Sequence, residues 1–197
     1  MTDRQKLYEG IGRAAWGYFF AYINLKFNNV SFTPSFIGFI LFLSAINLLC
    51  EEERELGLLR TLGVILTIWH TISWVASLAS IDIDGMFRVA DIIIEIVNIY
   101  FLFQFVTNLA SIAEKYQAQG YDIDAKLLAY RSTQTVMLTG VIVVTNYIQG
   151  VDILGEYTQI VGVYVSIITY IMYFLVIVLM MKALFDLRGC LRQDTEG

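Results

Sequence analysis

The amino-acid sequence predicts an all-α integral membrane protein, a single bundle of six transmembrane helices with both termini in the cytoplasm. Three observations lead to this fold class. Hydrophobic residues make up 57% of the 197 residues and charged residues only 16%, whereas soluble domains are nearer half apolar and a quarter charged. Several apolar stretches are long enough to cross about 30 Å of hydrocarbon. The basic residues, finally, fall mostly on one side of those stretches.

We expect a single domain that contains six spans. Their approximate ranges are 8–24, 33–49, 59–80, 86–113, 135–149 and 159–184. The second span begins at Thr33 and Pro34, a capping residue type followed by proline at the first helical position. The longest loop covers about residues 115–134, and we expect a short cytoplasmic helix there because its second half has helical spacing and acids in the first turn.

The basic residues fix the expected topology. Six spans place 11 of the 13 Lys and Arg residues on one side, which the positive-inside rule assigns to the cytoplasm. These residues are Arg4, Lys6, Arg13, Arg54, Arg60, Lys115, Lys126, Arg131, Lys182, Arg188 and Arg192. Lys26 and Arg88 lie on the other side. Without an organelle-targeting or lipidation signal, we expect a bacterial plasma membrane.

The first span carries a small-residue stripe. Gly10, Ala14, Gly17 and Ala21 recur at spacings of four, three and four, so they share one helix face and let another helix approach closely. Two interpretations remain at this point. The stripe packs against a helix of the same chain, or it contacts a subunit of a homo- or hetero-oligomer.

The fourth span carries the strongest functional signal. Arg88, Asp91, Glu95 and Asn98 are separated by three, four and three residues and so share a face. A carboxylate at the bilayer centre costs about 2.5–3.5 kcal/mol on insertion scales, and idle charge is therefore rare in spans. These side chains are candidate ligands for a cation, a proton or a polar small molecule.

The third span supplies a possible partner, His70, which is the only histidine in the chain. If the third and fourth spans form an antiparallel hairpin about a turn at residues 81–85, His70 lies level with residue 96, next to Glu95. A histidine and a carboxylate in a low dielectric can share a proton. Thr67, Trp74 and Ser77 fall on the same face as His70. The alternative is structural: His70 bonds a neighbouring hydroxyl, and Asp91 pairs with Arg88.

Other chemistry is disfavoured. The net charge of −5 argues against nucleic acid, which requires a clustered basic surface. One histidine and two separated cysteines do not make a standard metal or redox site, and no cofactor motif is present. Other spans also carry polar groups and amphipathic rings, which serve either a small-molecule cavity or interhelical hydrogen bonds. They are Tyr18, Tyr22, Trp69, Trp74, Thr139, Thr145, Asn146, Ser166, Thr169, Tyr170 and Tyr173.

Three functions follow, in order of preference. The first is a small transporter or transporter subunit with a polar site between the third and fourth spans. The second is a membrane scaffold or regulatory subunit that acts through helix and loop contacts, and the third is a membrane-embedded enzyme. In size, span number, cytoplasmic termini and small-residue first helix, the chain resembles the membrane-embedded substrate-binding subunits of energy-coupling-factor vitamin transporters. This resemblance is architectural and implies small-molecule binding.

Overall fold

A computed structural model describes residues 3–23, 26–27, 30–31, 33–79, 88–143 and 156–193, with side chains over 3–23, 33–79, 89–140 and 167–192. The α-helices in these ranges are α1 (Asp3–Tyr22), α2 (Ser35–Leu49), α3 (Leu59–Leu78), α4 (Arg88–Tyr116), α5 (Ile123–Val143) and α6 (Glu156–Gln193). The strands β1 (Lys26–Phe27) and β2 (Val30–Ser31) pair antiparallel, and a 3₁₀ turn over Arg54–Leu58 leads into α3. Apart from that short hairpin the described chain is all-helical, as predicted.

Three segments are long and apolar enough to cross a membrane. They are Arg54–Leu78, Val89–Tyr116 and Ile167–Arg192, which contain α3, most of α4 and the larger part of α6. Helix α2 is also apolar, but its 15 residues cover only about 22 Å at the rise of an α-helix. The lengths and compositions of these helices are compatible with the membrane location that the composition predicts.

The loop helix and the fifth predicted span form one element. Helix α5 runs without interruption from Ile123 to Val143, across the boundary that the sequence places after residue 134. The stretch has no proline and a single glycine, Gly140, so no residue in it forces the helix to end. The predicted turn at residues 81–85, the side chain of Arg88 and residues 144–149 lie outside the described parts of the chain.

The predicted cap at the start of α2 is wrong. Helix α2 begins at Ser35, Pro34 precedes it with an extended backbone, and no side chain caps the first turn. The Thr33 hydroxyl instead donates a hydrogen bond to the carbonyl oxygen of Ile23, at 2.6 Å. Thr33 therefore ties the start of α2 back to the end of α1.

The small-residue stripe of α1 lies against α2. Gly10, Ala14, Gly17 and Ala21 are all buried. A Cβ on Gly17 would come within 2.7 Å of the Phe42 ring, and one on Gly38 within 2.3 Å of the backbone nitrogen of Ala21. The two helices thus touch backbone to backbone, which only small residues allow. A second role of this stripe in a subunit contact stays a prediction.

Aromatic rings fill the layer next to this contact. Phe42 of α2 packs on Phe105 and Phe101 of α4, with ring centroids 4.9 Å and 5.8 Å apart, and all three rings are fully buried. Phe39 also packs on Phe101, at 5.9 Å. Helix α2 therefore joins α1 to α4 through the core.

One end of the bundle is held by ion pairs to the turn between α2 and α3. Lys6 of α1 lies 2.5 Å from Glu51, and Lys115 of α4 lies 3.4 Å from Glu52 and 3.8 Å from Glu53. These groups are partly exposed, and such pairs contribute little stability. They do show that the start of α1, the end of α2 and the end of α4 lie at the same end of the molecule.

Gln117 caps the N-terminus of α5. Its side-chain oxygen accepts hydrogen bonds from the backbone nitrogens of Ile123 and Asp124, at 2.7 Å and 3.3 Å, and its amide nitrogen donates to the Asp124 carboxylate at 2.8 Å. The hydrogen bond from Gln117, followed by that from the Ala125 backbone, lowers the pKa of Asp124. The connection from α4 to α5 is therefore fixed by a single side chain.

Replacing Gly38 by alanine should destabilise the protein. The new methyl group would meet the backbone of Ala21, which cannot move away as a side-chain end can. Overpacking of this kind costs about 1–3 kcal/mol, measured as a lower thermal unfolding midpoint of the purified chain. Gly140→Ala is the matched control, because nothing lies within 4 Å of a Cβ there. Equal midpoints for the two variants would contradict the close helix contact.

Replacing Gln117 by leucine should cost about 1 kcal/mol at neutral pH, as loss of a helix cap usually does. Because the pKa of Asp124 is lowered in the folded chain, its share of the stability is present above the unfolded value and is lost as pH falls through the folded one. The difference from wild type should therefore shrink below about pH 4. Unfolding midpoints across pH measure it, with Asp186→Asn, an exposed acid elsewhere, as the control.

Candidate functional site

The polar face of α4 points partly inward. Asn98 is half-buried and its side-chain oxygen accepts a hydrogen bond of 3.0 Å from the Tyr22 hydroxyl of α1. Asp91, two turns earlier, is also half-buried, whereas Glu95 is exposed. The residues predicted from one helix face are thus divided between the interior and the outer surface of the described bundle.

His70 lies against α2. Its ring stacks on Phe39 with centroids 4.8 Å apart and an interplanar angle of 7°, and Phe39 is itself buried. The Nε2 atom of His70 is buried and has no hydrogen-bond partner among the residues that the structure describes. Buried polar atoms are usually paired, so an orphaned imidazole nitrogen is a reason to look for a ligand or a water molecule. The proton-sharing pair of His70 with Glu95 stays a prediction.

The depth at which α3 and α4 meet is close to the expected one. In the predicted hairpin Gly63 is level with residue 103, and in the structure a Cβ on Gly63 would touch the Phe101 ring at 3.3 Å. At this contact the two helices meet within about one helical turn of the predicted level. His70 and Glu95 belong to this helix pair.

Three hydroxyl groups of α3 donate hydrogen bonds within their own helix. Thr67 donates to the carbonyl oxygen of Gly63, Thr71 to that of Thr67 and Ser77 to that of Trp74, each at 2.7 Å. Such back-bonding is common for hydroxyl side chains inside helices. The two hydroxyl groups of the predicted polar stripe, Thr67 and Ser77, are therefore bonded to backbone, whereas His70 Nε2 has no partner among the described residues.

A second polar cluster, centred on Gln134, lies deep in the bundle. Gln134 of α5 is fully buried; its oxygen accepts a hydrogen bond of 3.0 Å from the Tyr18 hydroxyl, and its nitrogen lies 3.5 Å from the Tyr173 hydroxyl. Tyr18, Gln134 and Tyr173 form what we call the buried polar chain. It links α1, α5 and α6.

Sequence reasoning missed Gln134 because position 134 was assigned to the end of a cytoplasmic loop. The signal was nevertheless present. Gln134 follows Leu127 by seven residues and Ile123 by eleven, so it lies on the same helix face as two apolar residues that are fully or almost fully buried. A lone amide on an apolar helix face is a candidate for interior hydrogen bonding.

The buried polar chain lies next to a further hydrogen bond that joins α1 to α4. The rings of Tyr18 and Tyr22 lie 5.2 Å apart on α1, and Tyr22 donates to Asn98. Neutral donors and acceptors from four helices therefore lie in the interior, and the last of them, Asn98, belongs to the same helix as Asp91 and Glu95. Such groups can orient a polar ligand or a water molecule without carrying net charge.

The described residues contain no group of three or more His, Cys, Asp or Glu side chains placed to hold a metal ion. Both cysteines are free thiols; Cys190 is buried and Cys50 is partly buried. The ligands available to a substrate in this region are therefore carboxylate, amide, hydroxyl and imidazole groups.

Replacing Tyr18 by phenylalanine should destabilise the bundle by about 1–3 kcal/mol, because it leaves the buried oxygen of Gln134 without its donor. The change removes a single oxygen atom and keeps the ring packing. Tyr121→Phe removes the same atom from a side chain that is 52% exposed and should be neutral. Thermal unfolding of the two variants side by side measures the difference, and equal midpoints would mean that the hydrogen bond contributes nothing.

No protein-family model, curated protein or solved structure matches the chain. The resemblance in architecture to vitamin-transporter subunits gains no support from a matching fold. The functional assignment therefore depends on the residues and contacts described above.

Proposed function

We propose that the chain is a six-span protein of a bacterial plasma membrane with both termini in the cytoplasm. The distribution of basic residues supports this orientation. Two ion pairs support helices that cross the membrane in alternating directions. Lys6 at the start of α1 pairs with Glu51 just after α2, and Lys115 at the end of α4 pairs with Glu52 in the same turn. Arg188 near the end of α6 lies over the ring of Tyr8, at the same end.

Within that membrane the chain acts as a small transporter, or as a subunit of one, for a proton, a cation or a polar small molecule. The observation that carries this proposal is the polar face of α4. Asp91 and Asn98 lie on its partly buried side, Glu95 lies at its exposed edge, and the Asn98 side chain accepts a hydrogen bond from Tyr22 of α1. Carboxylates in a membrane segment usually mark an ion or proton path.

Each group has a role in this proposal. Asp91 and Glu95 bind the cation or the proton, and Asn98 orients the ligand at the inner end of the site. His70 accepts or returns a proton through the Nε2 atom that lacks a partner. Arg88 sets the local charge at the start of α4.

Proton flux in proteoliposomes that hold a pH-sensitive dye tests the proposal. Glu95→Gln should reduce flux to the level of protein-free liposomes, because an amide cannot take up and release the proton. Glu114→Gln makes the same change at an exposed position at the other end of α4 and should leave flux unaltered. Flux in Glu95→Gln that equals wild type and keeps its pH dependence would overturn the proton role.

A second function, a membrane scaffold or regulatory subunit, is supported by a different observation. Glu95 is exposed between Ile93 and Ile96, which are 55% and 57% exposed. A polar side chain on the outer face of a membrane helix can contact a helix of another protein. Unaltered flux in Glu95→Gln, together with loss of a protein that co-purifies with wild type, would favour this function.

A further inference from the structure

A cavity of about 410 Å³ opens between α1, α2 and α6, away from the polar face of α4. Its polar wall is formed by Arg13, Arg188 and Glu9, and its apolar wall by Trp16, Phe20 and Leu41. None of these residues takes part in the site proposed for transport. The cavity thus combines two guanidinium groups with an aromatic and aliphatic surface.

Arg188 is held in place from two sides. Its guanidinium lies over the Tyr8 ring, 4.1 Å from the centroid. On the other side it packs on Gly12, where a Cβ would come within 3.1 Å of both Cζ and Nε. The glycine therefore makes room for the guanidinium, and stacking on an aromatic face orients its plane.

Arg188 also has one hydrogen-bond donor that is not paired with a described residue. Its Nε atom is buried and has no acceptor within the described part of the chain. A buried donor without a partner costs free energy, and the cost is larger for a charged group. An acceptor that enters the cavity would remove it.

Arg13 is oriented by its own neighbours. It donates to the Ser44 hydroxyl of α2 and to the Glu9 carboxylate, which lies 3.3 Å away. Glu9 offsets one of the two positive charges, so the three groups carry a net charge of +1. A monoanion is the ligand that this charge balance favours.

The apolar wall decides what kind of anion fits. Trp16 is 47% exposed at the cavity and packs edge to face on Phe185, with centroids 6.2 Å apart. Tryptophan is enriched at the membrane interface, where one end of the ring is apolar and the other is wet. An apolar surface beside two arginines suits a phosphate group that carries an acyl chain better than it suits a bare ion.

We propose that this cavity binds a phosphate monoanion, with Arg188 as the principal donor, Arg13 as the second cation and the Trp16 side as the wall for an attached acyl chain. Arginine binds phosphate oxygens through its fork of donors, of which Nε is one. The ligand is an anionic phospholipid headgroup or free phosphate, and both share this chemistry.

Lipid retention by the purified full chain tests the proposal, measured by native mass spectrometry in detergent with added phosphatidylglycerol or phosphatidylcholine. Wild type should retain phosphatidylglycerol in preference. Arg188→Gln should weaken that binding by about tenfold or more, as expected for loss of a charge-assisted hydrogen bond. Arg60→Gln removes the same charge from an exposed position on α3 and should bind like wild type.

Glu9→Gln should change the affinity for phosphatidylglycerol in the opposite direction. It removes the carboxylate from the cavity, raises the net charge of the site and should tighten phosphatidylglycerol binding, which a merely damaged fold would not do. Arg188→Lys keeps the charge but loses Nε and should bind with intermediate strength. Both variants keep the proposal testable if Arg188→Gln does not fold.

Inorganic phosphate separates the two sources of the ligand. If millimolar phosphate raises the unfolding midpoint of wild type but not of Arg188→Gln, and no lipid preference appears, the ligand is free phosphate. If only phosphatidylglycerol is retained, the ligand is a lipid headgroup. Retention that does not differ between the two lipids, with no effect of phosphate, would overturn the proposal, and so would an Arg188→Gln variant that behaves like Arg60→Gln.

Discussion

The contact between α1 and α2 is the constraint on which the rest of the bundle depends. Gly38 leaves no space for a side chain beside the backbone of Ala21, and Gly17 leaves none beside Phe42. Because the two helices approach this closely, the other faces of α1 are brought within reach of three more helices. Tyr22 meets α4, Tyr18 meets α5, and Gly12 receives Arg188 from α6. Helix α1 is therefore the common neighbour of both polar regions.

Much of the helical architecture could be predicted from the sequence, because local composition determines it. Apolar runs, a small-residue stripe and the placement of charges are all visible within about twenty residues. Helix ends whose hydrogen bonds depend on a distant part of the chain were harder to predict. Thr33 is the residue type that caps helices, yet its hydroxyl bonds to Ile23 because the end of α1 lies beside it. The predicted loop helix and the fifth predicted span form one helix, because a stretch without helix-breaking residues continues through mixed polarity.

The candidate site was only partly predictable, because its geometry depends on residues far apart in the chain. The spacing of Asp91, Glu95 and Asn98 shows that they share a face, but it does not show which helix the face meets. The direction of the His70 ring is determined by Phe39, and the burial of Gln134 by Tyr18, 116 residues away. Arg188 lies in a cavity because a glycine in α1 admits it. No periodicity within one helix carries this information.

The shortness of α2 has a consequence for the surrounding lipid. If α2 spans the membrane as proposed, its 15 residues cover about 22 Å of a hydrocarbon layer of about 30 Å. A span shorter than the layer is accommodated by local thinning of the bilayer or by flanking polar residues. Leu41 of this helix lines the arginine-lined cavity, and Ser44 accepts a hydrogen bond from Arg13. Thinning beside α2 would draw the polar surface of the membrane toward the guanidinium groups of Arg13 and Arg188.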